Sequence, residues 1–133
     1  WVFVTTWACD IGAFFTGISL GKRKLVPTIS PNKTVEGSIG GIAFSALTCL
    51  IFAKLLLPDI SGIHALTCGT LIGVFSQIGD LSASLIKRYC KIKGFSNIIP
   101  GHGGILDRFD SALFSFPIAY IYIVMIIRKG GLL

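Results

Sequence analysis

The chain has 133 residues, of which 53% are hydrophobic and only 14% charged, with a mean hydropathy of +0.80; this mix lies outside that of soluble globular domains and reads as a membrane protein. Lys and Arg outnumber Asp and Glu by 12 to 6, a net charge of +6, and the cations are bunched, which suits anionic headgroups or phosphates as partners. No basic stripe with interleaved aromatics is present, so nucleic acid is excluded as the expected partner.

A membrane-spanning helix needs about 20 mostly apolar residues, and four stretches of that kind predict an all-α, polytopic bundle of about four spanning helices. The first is Trp1 to Leu20. It lacks the charged n-region and small-residue cleavage site of a signal peptide. Because the chain begins inside an apolar run and its only methionine is Met125, the expectation is the C-terminal part of a longer protein, with further helices before Trp1. Asp10 falls midway along this span in "WACDIGAFFTG". An aspartate at the bilayer centre costs about 2.5–3.5 kcal/mol on insertion scales, so it implies a partner or a water-filled cavity.

The connection "GKRKLVPTISPNKTVEG" carries Lys22, Arg23, Lys24 and Lys33 and reads as a loop. Its end, with Ser30, Lys33, Thr34 and Glu36, is either a polar functional cluster or helix punctuation in which Thr34 or Ser30 caps the next span. That span, Gly37 to Leu57, opens with Gly37, Gly40 and Gly41, which read as close-packing positions between helices. "LPDISG" is a short turn leading to the third span, Ile63 to Ala83. Cys9, Cys49, Cys68 and Cys90 are scattered, fit no zinc spacing, and read as packing residues.

Asp80 lies near the end of the third span, and on a helix that continues past it Ser84 and Lys87 follow at i+4 and i+7. Carboxylate, hydroxyl and ammonium then share one stripe. The segment from Ser84 to Asp110 also holds Arg88, Lys91, Lys93 and Arg108, so alternating spans gather both basic loops on one side. The positive-inside rule makes that side cytoplasmic. Lys54, Arg128 and Lys129 fall on the opposite face, the last two against the trend. The fourth span, Ser111 to Ile127, is short and contains Pro117, which predicts a kink or a thin local fit.

"NIIPGHGGILDRFDS" is the densest polar run in the chain. Asp107 and Asp110 are spaced i, i+3, so a helix starting near Leu106 turns both the same way in its first turn. Such a pair could serve the helix dipole; it also offers hard oxygens for Mg²⁺, which is commonly held by one or two carboxylates while substrate phosphates fill other positions. Gly101, Gly103 and Gly104 would let backbone N–H groups approach a phosphate, with Lys87, Arg88 and Arg108 as further anion contacts. His102 alone fits a hydrogen-bonded structural residue as well as a catalytic one.

On these residues the chain resembles the phosphatidate cytidylyltransferase, or CDP-diacylglycerol synthase, family. The family signature is matched by Ser84, Lys87, Arg88, Lys93, Ser96, Ile99, Pro100, His102, Gly103, Gly104, Asp107, Arg108 and Asp110, and "SPNKTVEG" and "CDIGAFFTG" look like its other recurrent segments. One departure is Gly94, where the family has aspartate. The resemblance implies that residues 1–133 are the C-terminal membrane-embedded catalytic part of such an enzyme. It further implies transfer of a cytidylyl group from CTP to phosphatidic acid, giving CDP-diacylglycerol and pyrophosphate with Mg²⁺, and with room for a second cation.

In that reading Asp80, Asp107 and Asp110 hold metal and, with Lys87 and Arg88, form the catalytic set. Lys33, Ser84, His102, Gly103, Gly104 and Arg108 would bind substrate phosphates, and Asp10 would line the polar cavity. The expected setting is a bacterial cytoplasmic membrane with the site on its cytoplasmic side, in contact with membrane lipid; a homodimer is among the open arrangements. Two other functions start from the same residues: an ion-coupled transporter using Asp10 and Asp80 as a path, and a related CTP-dependent lipid kinase that would leave CDP instead of pyrophosphate.

Overall fold

Hydroxyls in an apolar span must find partners inside the chain, and the first helix, α1 (Val2–Leu20), shows how. Thr5, Thr6 and Thr16 each donate to the carbonyl four residues back, at 3.1, 2.9 and 2.5 Å, so an apolar helix carries three threonines at little polar cost. The computed structural model describes residues 1–58, 60–92 and 106–128; at 106–108 and 126–128 the description is of the backbone.

After α1 the chain forms a short antiparallel hairpin, β1 (Lys24–Val26) and β2 (Ser30–Thr34), where the sequence had read as loop. Lys24 pairs with Thr34 and Val26 with Ser30, with an irregularity between, and the Ile29 N–H closes the turn on Val26 O at 3.2 Å. Pro27 and Pro31 hide this hairpin from a pattern reading, because prolines count against strands. The helices α2 (Val35–Leu56), α3 (Gly62–Tyr89) and α4 (Leu106–Tyr122) follow. Of the two residues considered as caps, Thr34 and not Ser30 caps α2, its hydroxyl accepting the Gly37 N–H at 3.1 Å.

α4 begins at Leu106 and runs through Pro117, and the chain then winds into a wider π-helix over Ile123–Arg128. α3 continues six residues past the expected end of its span, to Tyr89. There Lys91 adopts φ 55°, and the N–H groups of Lys91 and Ile92 bond the carbonyls of Arg88 and Lys87 at 3.1 and 3.0 Å. This is a Schellman ending with lysine at the position that usually takes glycine.

α1 packs on α2, α2 on α3 and α3 on α4, with lighter contacts from α1 to α3 and α4. The buried positions of α2 recur every fourth residue: Gly37, Gly41, Ser45, Cys49 and Ala53. These small residues let backbones approach where no hydrophobic drive exists between helices in lipid. A Cβ on Gly37 would lie 2.7 Å from Ala13 O and 3.0 Å from Gly17 Cα, bearing out the close-packing reading. Ser45 Oγ donates to Gly69 O at 2.7 Å and Cys9 Sγ to Gly73 O at 3.6 Å, tying α2 and α1 to α3.

Three of the cysteines, Cys9, Cys49 and Cys68, are buried and Cys90 is exposed, all as free thiols. Cys49, Cys68, Ile60, Ile72, Ala119 and Tyr122 form the apolar core at the end away from the hairpin, where His64 Nδ1 and Tyr122 Oη lie 3.0 Å apart. Large side chains such as Trp7, Phe15, Leu55 and Ile63 are exposed, an outer surface suited to acyl chains. Among the described residues α1, α2 and α3 are long and apolar enough to cross a membrane, and α4 is a shorter apolar helix. The result is the expected helical membrane bundle, with the hairpin added.

Candidate active site

The hairpin sits at the end of the bundle where α1 and α3 finish and α2 begins, so both basic connections meet there. Three anchors hold it. Glu36, in the first turn of α2, accepts the backbone N–H groups of Lys22 and Arg23 at 3.1 and 3.2 Å. The Val35 N–H donates to Arg23 O at 2.9 Å. Arg88, near the end of α3, donates from Nε to Ile29 O at 3.3 Å.

Beneath the hairpin lies a cavity of about 600 Å³, within the usual range for small-molecule sites. Asp10 from α1, Ser38 from α2, Gln77 and Asp80 from α3, and Lys22, Lys24, Asn32 and Lys33 from the hairpin region line it. Lys33 Nζ is ion-paired with Asp80 Oδ2, both side chains being about 30% exposed. Asp10 is exposed into this space, which answers how a carboxylate is tolerated midway along α1. Its electrostatic neighbours are Asp80, Lys33 and Asp110.

Asp110 is brought to Asp80 by the glycine that precedes the latter. A Cβ on Gly79 would stand 2.7 Å from Asp110 O and 3.2 Å from Phe114 Cδ2, so only glycine lets α4 approach this closely. Asp110 itself is buried; its Oδ1 accepts the Ser111 N–H at 2.7 Å and the Ser111 hydroxyl at 3.3 Å, and Asp80 and Lys87 are its charged neighbours.

A second, smaller cleft of about 120 Å³ is lined by Ile29, Ser30, Ser84, Lys87, Arg88 and Ile92. Ser30 faces both spaces, so strand β2 is the partition between them. The expected stripe of Asp80, Ser84 and Lys87 is therefore real, but its acid end meets the large cavity and its hydroxyl and cationic end the small cleft.

Of the residues singled out from sequence, Lys33, Asp80, Ser84, Lys87, Arg88 and Asp110 thus converge at one end of the bundle. Asp107 and Arg108 lie in the first turn of α4, their side chains outside the described residues; Lys93, Gly94, Ser96, Ile99, Pro100, His102, Gly103 and Gly104 also lie outside them. Gln77 went unnoticed in the sequence. Its Oε1 accepts from the Ser38 hydroxyl and its Nε2 donates to Ser38 O at 2.9 Å, which locks the cavity wall. A glutamine three residues before Asp80, hence on the same helical face, was the available signal.

Asp80, Asp110 and Asp10 are carboxylates within electrostatic reach of one another, and hard oxygens of this kind could hold a divalent cation only if waters or other ligands completed its shell. Among the described residues no group of three or more His, Cys, Asp or Glu is close enough to form an all-protein cage.

Residues 1–126 match the model of the cytidylyltransferase family. The chain belongs to the cytidylyltransferase family. It is similar to the phosphatidate cytidylyltransferase of Bacillus subtilis, with 49% identity over 122 residues, 92% of this chain and 45% of that protein. The protein of the same name from Synechocystis is 43% identical over 125 residues, covering 94% of this chain and 42% of the relative. That from Staphylococcus aureus is 44% identical over 126 residues, covering 93% and 48%. The chain spans about half the length of the curated relatives it matches, and as a member of this family it carries the match from α1 through α4.

Proposed function

We propose that this chain forms the membrane-embedded part of a phosphatidate cytidylyltransferase that transfers a cytidylyl group from CTP to phosphatidic acid. One observation supports this most: Asp10 from α1, Asp80 from α3 and Lys33 from the hairpin converge on a cavity whose wall also includes outward-facing apolar residues, with the buried Asp110 of α4 a charged neighbour of Asp80. Phe14 and Ile18 line the cavity yet are 63% and 69% exposed on the outer face of α1. Lys22 and Lys24 occupy the polar rim. A diacyl lipid could then enter sideways past Phe14 and Ile18 while the nucleotide comes from water on the cytoplasmic side.

The reaction needs little proton chemistry. A phosphate oxygen of phosphatidic acid, already ionised near neutral pH, attacks the α-phosphorus of CTP; the new P–O bond forms as the bond to the β-phosphate oxygen breaks, and pyrophosphate leaves with the electron pair. Catalysis is then chiefly positioning and charge neutralisation. Asp80, Asp107 and Asp110 would hold Mg²⁺, which when bound offsets the repulsion between two anionic reactants. Lys33 and Lys87 act as point charges toward phosphates. Arg88 holds the hairpin through Nε while its guanidinium faces the small cleft, and Ser84 adds a hydroxyl beside it.

The test is reconstitution of the intact protein in liposomes containing phosphatidic acid, supplied with CTP and Mg²⁺. Release of pyrophosphate together with CDP-diacylglycerol is expected. Release of CDP instead would mean terminal-phosphate transfer, and ion flux without any nucleotide product would mean transport. Asp80→Asn and Asp107→Asn should each lower turnover by at least about a hundredfold, the scale of losing one electrostatic contact to the transition state, in protein that keeps its detergent-solubilised fold.

A further inference from the structure

We infer that Lys33 is a cation-competing latch on Asp80, so that the divalent cation and the nucleotide load together rather than separately. The inference rests on the cation-assisted reading above and goes beyond it in assigning Lys33 two successive partners. Lys33 Nζ is seated on Asp80 Oδ2, and the same ammonium is an electrostatic neighbour of Asp10. An ammonium and a divalent cation cannot both hold that carboxylate oxygen without strong mutual repulsion. Cation binding at Asp80 therefore requires Lys33 to leave.

The surroundings say what moves. The strand bearing Lys33 is pinned on both sides of it, by Arg88 Nε on Ile29 O at 3.3 Å and by the Thr34 cap on α2 at 3.1 Å. The backbone stays in place and the four-carbon stem of the lysine swings. It swings within a cavity lined also by Lys22, Lys24 and Asp10, so a displaced ammonium adds to a cationic rim in which Asp10, already its electrostatic neighbour, is the carboxylate left to it. A triphosphate, with several negative charges, is the stronger partner. Nucleotide draws Lys33 away from Asp80 and frees the carboxylate for the cation, and by linkage the cation frees Lys33 for the nucleotide. A ligand shifts such a pair of states only by its differential affinity for them, and here both ligands favour the state in which the ion pair is open.

The test titrates Mn²⁺ into the intact detergent-solubilised protein without nucleotide or lipid, with free Mn²⁺ read by electron paramagnetic resonance. Lys33→Met is expected to tighten Mn²⁺ binding about fivefold, the scale of a partly exposed ion pair, and Lys33→Arg, which keeps the pair, to leave it at the wild-type value. Lys24→Met removes a rim charge from the same cavity without touching Asp80 and should have a much smaller effect. Adding Asp80→Asn to Lys33→Met should abolish the gain. With CTP present, the extra tightening of Mn²⁺ that CTP gives the wild type should shrink in Lys33→Met.

Unchanged or weaker Mn²⁺ binding in Lys33→Met overturns the latch, as does an equal gain in Lys24→Met or a gain that survives Asp80→Asn. If Lys33→Met fails to give folded protein, Lys33→Gln and the Lys33→Arg comparison carry the same decision. Because the primary readout contains neither CTP nor phosphatidic acid, a latch that is present in a protein releasing no pyrophosphate would sink the proposed reaction alone. Pyrophosphate release with no Lys33 effect would sink the latch alone.

Discussion

The hydroxyls of Thr6 on α1 and Ser115 on α4 lie 3.1 Å apart in the buried interior, joining the first described helix to the last. Each is also satisfied within its own helix, Thr6 by Val2 O and Ser115 by Ser111 O. Each hydroxyl has one proton to give, so the cross-helix bond forms when one of the two turns its proton from its own helix to the other's oxygen. A double-mutant cycle of Thr6→Val and Ser115→Ala, followed by unfolding in detergent, should give a coupling of about 0.6 kcal/mol, the usual scale for interhelical hydrogen bonds in membranes. A coupling near zero would mean that the two hydroxyls merely lie side by side.

Two glycines on α3 should respond oppositely to an added methyl group. A Cβ on Gly79 would meet Asp110 O at 2.7 Å, whereas on Gly62 it would meet only Leu50 Cδ1 at 3.4 Å. Gly79→Ala must push α4 away and is expected to cost about 1–3 kcal/mol, as overpacking does, with loss of activity because Asp110 moves from Asp80. Gly62→Ala should be neutral within about 0.5 kcal/mol. Thermal unfolding and turnover of both variants check this, and equal tolerance would place the α3–α4 contact elsewhere.

Much of this arrangement was legible in the sequence because the membrane constrains it so strongly. Length and hydropathy define the four helices, Asp80 with Ser84 and Lys87 predicts a polar stripe, and the segment before Gly37 offers Thr34 or Ser30 as a cap; each follows from local patterns alone. What stayed hidden depends on tertiary partners. The hairpin is masked by Pro27 and Pro31, and the Lys33–Asp80 pair joins a strand to a helix with no local signal. Glu36 looked like an ordinary first-turn acid until the N–H groups of Lys22 and Arg23 were seen to converge on it. The division of the site into two spaces by Ser30 likewise arises only from how the hairpin lies on α3.

The end of α3 offers a gain in stability. Lys91 takes the left-handed conformation at φ 55°, which costs a side-chain-bearing residue about 1–2 kcal/mol relative to glycine. Lys91→Gly should therefore raise unfolding free energy by about 1 kcal/mol, reduced somewhat by the greater freedom of glycine in the unfolded chain. Lys91 lines neither cavity, so turnover should stay close to wild type. A drop in stability would show that the side chain contributes a contact that outweighs the backbone strain.

The hairpin anchor at Glu36 yields a prediction that separates position from chemistry. Among the described residues its carboxylate hydrogen-bonds to the backbone N–H groups of Lys22 and Arg23 at 3.1 and 3.2 Å, and those bonds fix where Lys22 and Lys24 meet the cavity. Glu36→Ala releases this turn while Val35 N–H on Arg23 O still tethers it. On the proposed reaction, the expected result is a rise of several-fold in KM for the nucleotide with a much smaller change in kcat, the pattern of weakened uniform binding. Glu36→Gln keeps an oxygen able to accept both N–H groups and should retain most of the wild-type KM. Amide hydrogen exchange at Lys22 and Arg23 should accelerate in the alanine variant and only slightly in the glutamine one. Equal damage from both substitutions would point to the negative charge of Glu36, rather than its hold on the backbone, as the property that matters.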